Sequence, residues 1–243
     1  MNIIKLSAIP STNTFLKDLS ANENLPEFTI VVAENQQQGK GQRGSNWVSE
    51  VGKNLTFSVL VKNFTTKHDS IFVLNILVAN ALLNTLNKFQ IPNVSIKWPN
   101  DILSGKKKVA GILIENSFKS ANEITSIIGI GLNVNQTNFE NLPLASSLAI
   151  VTNTLFDKDQ LLTEIVTEIK LLLEKLTTSN TDFLWETYHQ NLFMKDKVAS
   201  FQVGNEKPFS AVIQGVSTEG KLLLLQEDDL VHEYDIKEIK LLY

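Results

Sequence analysis

Val94–Ile130 reads VSIKWPNDILSGKKKVAGILIENSFKSANEITSIIGI. Val94–Trp98, Lys108–Glu115 and Glu123–Ile130 are apolar, β-branched runs, a pattern that predicts strands. Pro99-Asn100-Asp101 interrupts the first run, Ile102-Leu103 follows it, and Ser104-Gly105-Lys106 has hairpin-turn composition. Gly129 and Gly131 bracket the end of the stretch. The result is an antiparallel meander rather than a strand–helix–strand alternation, which places the chain in the α+β class.

Upstream, Asn2–Leu6 predicts a short strand, and Ser11, Thr12 and Asn13 offer caps for a helix over Phe15–Leu19. Phe28–Ala33 and Asn54–Val61 predict two further strands. From Asp69 to Phe89, residues Phe72, Ile76, Val78, Ala79, Leu82, Leu83 and Leu86 recur at helical spacing. Asp69 is the expected cap of that buried helix, and Pro92 ends it. Downstream, Asp157 and Gln160 form a capping box for a helix that buries Leu161, Ile165, Ile169, Leu172, Leu173 and Leu176. A shorter helix is expected over Asp182–Asn191. After about Phe193 the texture changes to short strands, Lys197–Phe201, Phe209–Val216, Lys221–Gln226 and Leu230–Tyr234, with Gly204, Gly215 and Gly220 between them. This predicts a main domain over 1–193 and a small SH3-like barrel over 194–243.

A chain of 243 residues with 43% hydrophobic and 20% charged residues is ordinary for a globular protein. Its net charge of −4 argues against nucleic-acid binding as its main business, since duplex binding needs a basic face. The absence of cysteine excludes disulfides and thiolate metal sites. No signal-peptide core and no apolar run of membrane-spanning length is present, so a cytoplasmic enzyme or binding protein is expected.

Ala33–Trp47, AENQQQGKGQRGSNW, concentrates glycine and cation: Gly39, Gly41 and Gly44 flank Lys40 and Arg43, the chain's only arginine. Glycines let backbone amides turn toward a ligand, and a guanidinium adds a planar fork suited to phosphate or carboxylate. Read alone, the loop serves equally as an anion cradle or as a hydrophilic connection between strands. It matches neither the NTPase phosphate loop nor the G-x-G-x-x-G dinucleotide fingerprint. Lys97 and Trp98 end a strand and can aim a cation at an anion; as a hexamer, Ile96–Asp101 is also an ordinary surface turn. Asn133 and Asn135 follow Gly131 and have the plain reading of an Asx turn. His68, His189 and His232 show no ligand spacing and are assigned no role.

Four blocks together resemble the biotin–protein ligases: Ser11–Asn13 (STN), the Ala33–Trp47 loop, Lys97–Glu115 (KWPND-x₆-KVAGILIE) and Gly129–Asn135 (GIGLNVN). They occur in that family's order and spacing. The resemblance implies a sheet related to that of class II aminoacyl-tRNA synthetases, with an SH3-like C-terminal domain. It also implies activation of biotin by MgATP to biotinyl-5′-AMP, then transfer to one lysine of a biotin carboxyl carrier domain. Lys97 would contact the biotin carboxylate and the activated phosphoryl region. Ser11, Thr12, Asn13 and Gln36 would hydrogen-bond the ureido head, and Lys40, Gly41, Gln42 and Gly111 would complete the biotin site. Gly39, Arg43, Trp47 and Asn133 would hold the ATP moiety, with Trp47 stacked on adenine. No metal ligand is assigned, because Mg²⁺ in such sites is held mainly by phosphates and water. Relatives are monomers or homodimers. A lipoate or octanoate transferase of the same fold is the close alternative, although KWPND and the glutamine-rich approach to the loop favour biotin. A non-catalytic binder of biotin or nucleotide is a third reading, against which Lys97 and Arg43 argue. The STN block starts ten residues after Met1. The resemblance therefore implies the form without an N-terminal DNA-binding domain, and no operator binding is expected.

The loop departs from the family's frequent GRGRRGR. Here Gln42 stands for an arginine implicated in holding the adenylate, Lys40 and Ser45 replace two more, and Arg43 lies one position along. The three glycines imply a loop that is mobile when empty and orders over its ligand. Arg43→Ala is expected to slow adenylate formation and to raise release of free intermediate. Unchanged single-turnover kinetics and unchanged release would remove Arg43 from this role.

Overall fold

The computed structural model describes residues 2–62, 64, 71–120, 123–140 and 142–243, and at 43, 119, 120 and 123 the backbone alone. The chain runs β1 (Asn2–Ile9), α1 (Thr12–Asn22), β2 (Thr29–Gln36), β3 (Leu55–Lys62), α2 (Phe72–Lys88), β4 (Val94–Lys97), β5 (Asp101–Ser104), β6 (Lys107–Ser120) and β7 (Glu123–Leu132). There follow α3 (Leu148–Thr152), α4 (Lys158–Thr178), α5 (Asp182–Gln190), β8 (Val198–Val203), β9 (Phe209–Val216), β10 (Leu222–Leu225), β11 (Val231–Tyr234) and β12 (Ile239–Leu242). The expected strands and long helices occur with boundaries moved by a few residues. Helix α3 and strand β12 were not foreseen. The predicted cap Asp69 lies outside the described residues, as does His68.

Seven strands form one mixed sheet in the order β1-β2-β3-β7-β6-β5-β4. Only β1–β2 is parallel; the meander from β4 to β7 is antiparallel throughout, as its sequence predicts. Side-chain alternation along the central strands assigns the two faces. Phe57, Val59 and Val61 of β3, Ile128 and Ile130 of β7 and Ala110 and Ile112 of β6 enter the main core with α2, α4 and α5. On the opposite face, Val31, Leu60 and Ile127 pack under Leu16 of α1. Helix α1 covers only part of that face. Over the rest, β6 and β7 present Gly111, Gly129 and Gly131, and the site lies there.

Strands β8–β12 form a separate antiparallel sheet, ordered β11-β10-β9-β8-β12. The expected closed barrel is not what the pairing gives: β11 and β12 have no mutual ladder and remain the two edges. This sheet shares the main core through Phe201, Ala211, Ile213 and Leu224. The Trp98 indole N–H donates to the Gly220 carbonyl at 2.9 Å, and His189 Nε2 accepts from the Val216 N–H at 3.1 Å. Burial holds the His189 imidazole below its ordinary pKa, which keeps the acceptor form.

Helix α4 begins at Asp157, whose carboxylate accepts from the amides of Asp159 and Gln160 at 2.8 and 3.2 Å. It is fastened to α2 by Glu168, which accepts from Lys88 Nζ at 2.8 Å and from Asn84 Nδ2 at 2.9 Å. Burial alone would raise the Glu168 pKa; the hydrogen bonds and the Lys88 charge outweigh it, so the carboxyl titrates below its ordinary 4.5. A carboxyl depressed in the folded state stabilises fully above its unfolded pKa and loses that contribution as pH falls through the folded value. Glu168→Gln is therefore expected to lower Tm at neutral pH and to flatten the fall of Tm below about pH 4.5. Equal acid slopes for the two proteins in thermal melts would contradict this.

Candidate functional site

The glycines of β6 and β7 are glycines because three side chains lie flat on them. A Cβ at Gly131 would fall 2.3 Å from the Trp47 indole, and one at Gly129 would fall 2.2 Å from Asn13 Oδ1. At Gly111 it would meet Lys108 Nζ at 3.1 Å and Trp47 at 3.2 Å. Backbone that bare lets ligand-sized space open directly above the sheet. A cavity of about 870 Å³ occupies it.

One end of the cavity is a buried polar chain. Ser11 caps α1, with Ser11, Thr12 and Asn13 each buried. The Thr12 amide and hydroxyl both donate to Gln36 Oε1, at 2.8 and 3.0 Å. Asn13 Nδ2 donates to Glu115 Oε2 at 2.9 Å and to the Leu113 carbonyl at 3.2 Å. Its Oδ1 accepts from the Ser58 hydroxyl at 2.6 Å. Because a carboxylate only accepts, Glu115 fixes which way the Asn13 amide points. Ser58 is fully buried, and its hydroxyl also lies 2.7 Å from Thr12 Oγ1. A side chain so connected is held in one orientation before any ligand arrives.

The other end is cationic. Strand β4 delivers Lys97 and β6 delivers Lys108, and Asp101 at the start of β5 stands between them. Lys108 Nζ lies 2.6 Å from Asp101 Oδ1, and Lys97 Nζ lies 3.3 Å from Asp101 Oδ2. Lys108 also sits 5.5 Å above the Trp47 ring centre. Among the described residues, the cavity lining holds five lysines (Lys40, Lys97, Lys108, Lys237, Lys240) against one carboxylate, Asp101. A basic wall in a chain of net charge −4 suits an anionic ligand.

The glycine loop folds as a small hairpin over the cavity edge, with a 3₁₀ turn at Gln42–Gly44. The Gly41 N–H donates to the Ser45 carbonyl at 2.7 Å, and the Trp47 N–H donates to the Gly39 carbonyl at 2.8 Å. The Gly41 amide is thus engaged within the loop. Lys40 Nζ reaches the Thr14 hydroxyl at 3.0 Å.

Of the residues singled out in the sequence, Ser11, Thr12, Asn13, Gln36, Lys40, Gly41, Gln42, Trp47, Lys97 and Gly111 line this cavity. Gly39 does not; it is buried beneath the loop. Asn133 does not either: it is 4% exposed, and its amide donates to the Ser146 carbonyl at 3.0 Å. The Arg43 side chain lies outside the described part of the structure. Sequence reasoning passed over Lys108, Ser58 and Glu115. Ser58 had a signal, a hydroxyl between Phe57 and Val59 in the otherwise mostly apolar strand LTFSVLV. Lys108 is one of three consecutive lysines, and nothing local separates it from Lys106 and Lys107.

The fold and cavity set a hydrogen-bonding end against a basic wall, an arrangement suited to an organic anion. The profile of the biotin/lipoate A/B protein ligase family matches residues 6–135, and the chain belongs to that family. It is similar to the bifunctional ligase/repressor BirA of Bacillus subtilis, 30% identical over 92% of this chain and 69% of that protein. The biotin–[acetyl-CoA-carboxylase] ligase of Mycobacterium tuberculosis is 24% identical over 88% of this chain and 79% of its own. Among solved structures, the biotin protein ligase of Aquifex aeolicus in complex with biotin and ATP superposes with a TM-score of 0.80 at 27% identity, covering 99% of this chain and 98% of that one.

Gly131→Ala is expected to lift the Trp47 ring from the sheet, red-shifting tryptophan emission while the far-UV spectrum is retained. An unchanged emission maximum would show that the ring does not rest there.

Proposed function

We propose that this chain is a biotin–protein ligase, activating biotin with ATP to biotinyl-5′-AMP and passing the biotinyl group to a specific lysine of a biotin carboxyl carrier domain. The observation that carries the reading is one cavity joining the buried Ser11–Asn13/Gln36 end to the Lys97–Asp101–Lys108 wall. Biotin has matching ends: a ureido ring that both donates and accepts hydrogen bonds, and a carboxylate.

The chemistry brings two anions together. Like charges about 4 Å apart repel by roughly 4 kcal/mol at an effective dielectric near 20, so the ammonium groups of Lys97 and Lys108 offset the main obstacle to approach. A carboxylate oxygen attacks the α-phosphorus, the bond to the bridging oxygen breaks, and pyrophosphate leaves with its electron pair. Lysine positive charge facing the forming anhydride stabilises the charge that builds on phosphorus. The carrier amine then attacks the acyl carbon, AMP leaves, and the amine gives up a proton. Asp101 keeps the two ammonium groups from repelling each other while the site is empty. The Gly39–Trp47 loop closes over the adenylate and excludes water, with Trp47 as the surface for adenine and the Arg43 guanidinium needed to retain the intermediate. Mg²⁺ would be held mainly by the ATP phosphates and water, since among the described residues Asp101 is the one carboxylate lining the cavity.

We read residues 194–243 as an SH3-like unit on the 1–193 catalytic unit, supported by a sheet order in which its first and last strands adjoin. The partners are a carrier domain and, for a homodimer, a second copy; DNA is not among them. Among the described residues no helix is long and apolar enough to cross a membrane; we place the enzyme in the cytoplasm, with its carrier. The lipoate alternative has less use for the polar end, because a dithiolane ring offers no ureido partners.

Incubation with MgATP, an apo carrier domain and either biotin or lipoate should add the biotinyl mass alone. Lys97→Ala and Lys108→Ala should each cut the rate by about a hundredfold or more. Gain with lipoate would shift the assignment to the alternative, and no gain with either acid would leave a non-catalytic binder.

A further inference from the structure

Among the described residues, Lys97 has one ion-pair partner, and a distant one. The Asp101 carboxylate holds Lys108 at 2.6 Å but Lys97 only at 3.3 Å, so the first lysine takes most of the charge. The second support for Lys97 comes from the other sheet. The outer edge of β4 is closed by the segment after α5: the Asn191 carbonyl accepts from the Ile96 N–H at 2.8 Å, and the Phe193 N–H donates to the Ile96 carbonyl at 2.7 Å. That pairing seats Phe193 beside Lys97. Strand β12 runs antiparallel to β8, Leu242 facing Ser200, and carries Tyr243 to the same place. The Tyr243 ring meets Phe193 edge-on, 5.2 Å between centres and 64° between planes. Lys97 Nζ lies 5.6 Å from the Tyr243 ring centre.

We propose that Tyr243 is a positioning residue for Lys97, its ring face holding the ammonium inside the cavity rather than letting it collapse fully onto Asp101. An aromatic face attracts a cation within about 6 Å, most strongly where water is excluded. The phenol itself senses the same wall: burial raises its pKa, and the Asp101 charge raises it further. Phe193 fixes the ring's tilt by presenting an edge to it. The ring is therefore part of the basic wall although it lies about 145 residues from Lys97 in the chain, a span set by their positions. The consequence for catalysis rests on the ligase reading above; the consequence for Lys97 itself does not.

The test separates the two. Wild type, Tyr243→Phe and Tyr243→Leu would be acetylated with limiting acetic anhydride, and each lysine followed by mass spectrometry. Leucine fills the space without a negative face, and phenylalanine keeps the face without the hydroxyl. Lys97 should acetylate roughly three- to thirtyfold faster in Tyr243→Leu than in wild type, while Tyr243→Phe stays within about twofold of wild type and the remaining lysines are unmoved. Equal Lys97 rates in wild type and Tyr243→Leu would overturn the proposal whatever the protein does with biotin. So would acceleration in Tyr243→Phe as large as in Tyr243→Leu, or acceleration of all lysines together in Tyr243→Leu. In biotinyl-AMP formation, Tyr243→Leu should raise KM for biotin more than it lowers kcat, and Tyr243→Phe should restore KM. A fall in kcat alone, with KM unmoved, would count against positioning.

Discussion

The site depends on a constraint at the backbone: where they floor the cavity, β6 and β7 carry bulk on the core face and glycine at 111, 129 and 131 on the other. Ala110 and Ile112 of β6 and Ile128, Ile130 and Leu132 of β7 complete the main core, so these strands cannot shift register without exposing them. That register places Gly111 directly opposite Gly131. The same alternation that secures the core therefore lays a glycine floor on the reverse face. Trp47 and Asn13 approach that floor to distances that a methyl group would forbid. The floor of the cavity is a product of strand pairing, and the 40–47 and 142–145 segments line it further.

On this floor the two ends of the cavity are organised by different forces. Ser11, Thr12, Asn13 and Ser58 are buried, and an unpaired polar group there would cost about 1–3 kcal/mol. They are satisfied by one another and by Gln36 and Glu115, which makes that end rigid. The basic end is only partly buried, with Lys97, Asp101 and Lys108 side chains 20%, 15% and 32% exposed. Charges there keep some water and can exchange partners. The two ends thus differ in kind, one fixed by mutual hydrogen bonds and the other by partly hydrated charge.

What could be read in the sequence follows from this division. The meander was legible because its periodicity and turn residues are local, and the class followed. The resemblance located Ser11–Asn13, Gln36, Trp47 and Lys97, all of which line the cavity. Lys108 was not separable from its two lysine neighbours, because strand register alone decides which of them faces Asp101. Ser58 faces the site because Phe57 and Val59 are claimed by the core. Asn133 shows the same dependence: one residue past the end of β7, its amide turns back to Ser146, a pairing that no local signal announces. Tyr243 carries no local signal, since its role depends on how one sheet seats against another.

The two sides of the cavity also differ in what holds them. The C-terminal sheet shares a continuous core with the main one, and Trp98 at the cavity edge is bonded into it through the Gly220 carbonyl. Swinging that sheet away would expose Phe201, Ile213 and Leu224, each nearly or fully buried, at about 25 cal/mol per Å² of apolar surface. Among the described residues, the glycine loop is held by its internal hairpin bonds, by the Trp47 ring on the glycine floor and by Lys40 on Thr14. The wall carrying Tyr243, Lys237 and Lys240 is thus tied to the shared core, while the Trp47 ring rests on the glycine floor beside the cavity, so one side of the cavity depends on how two sheets pack and the other on the seat of one ring.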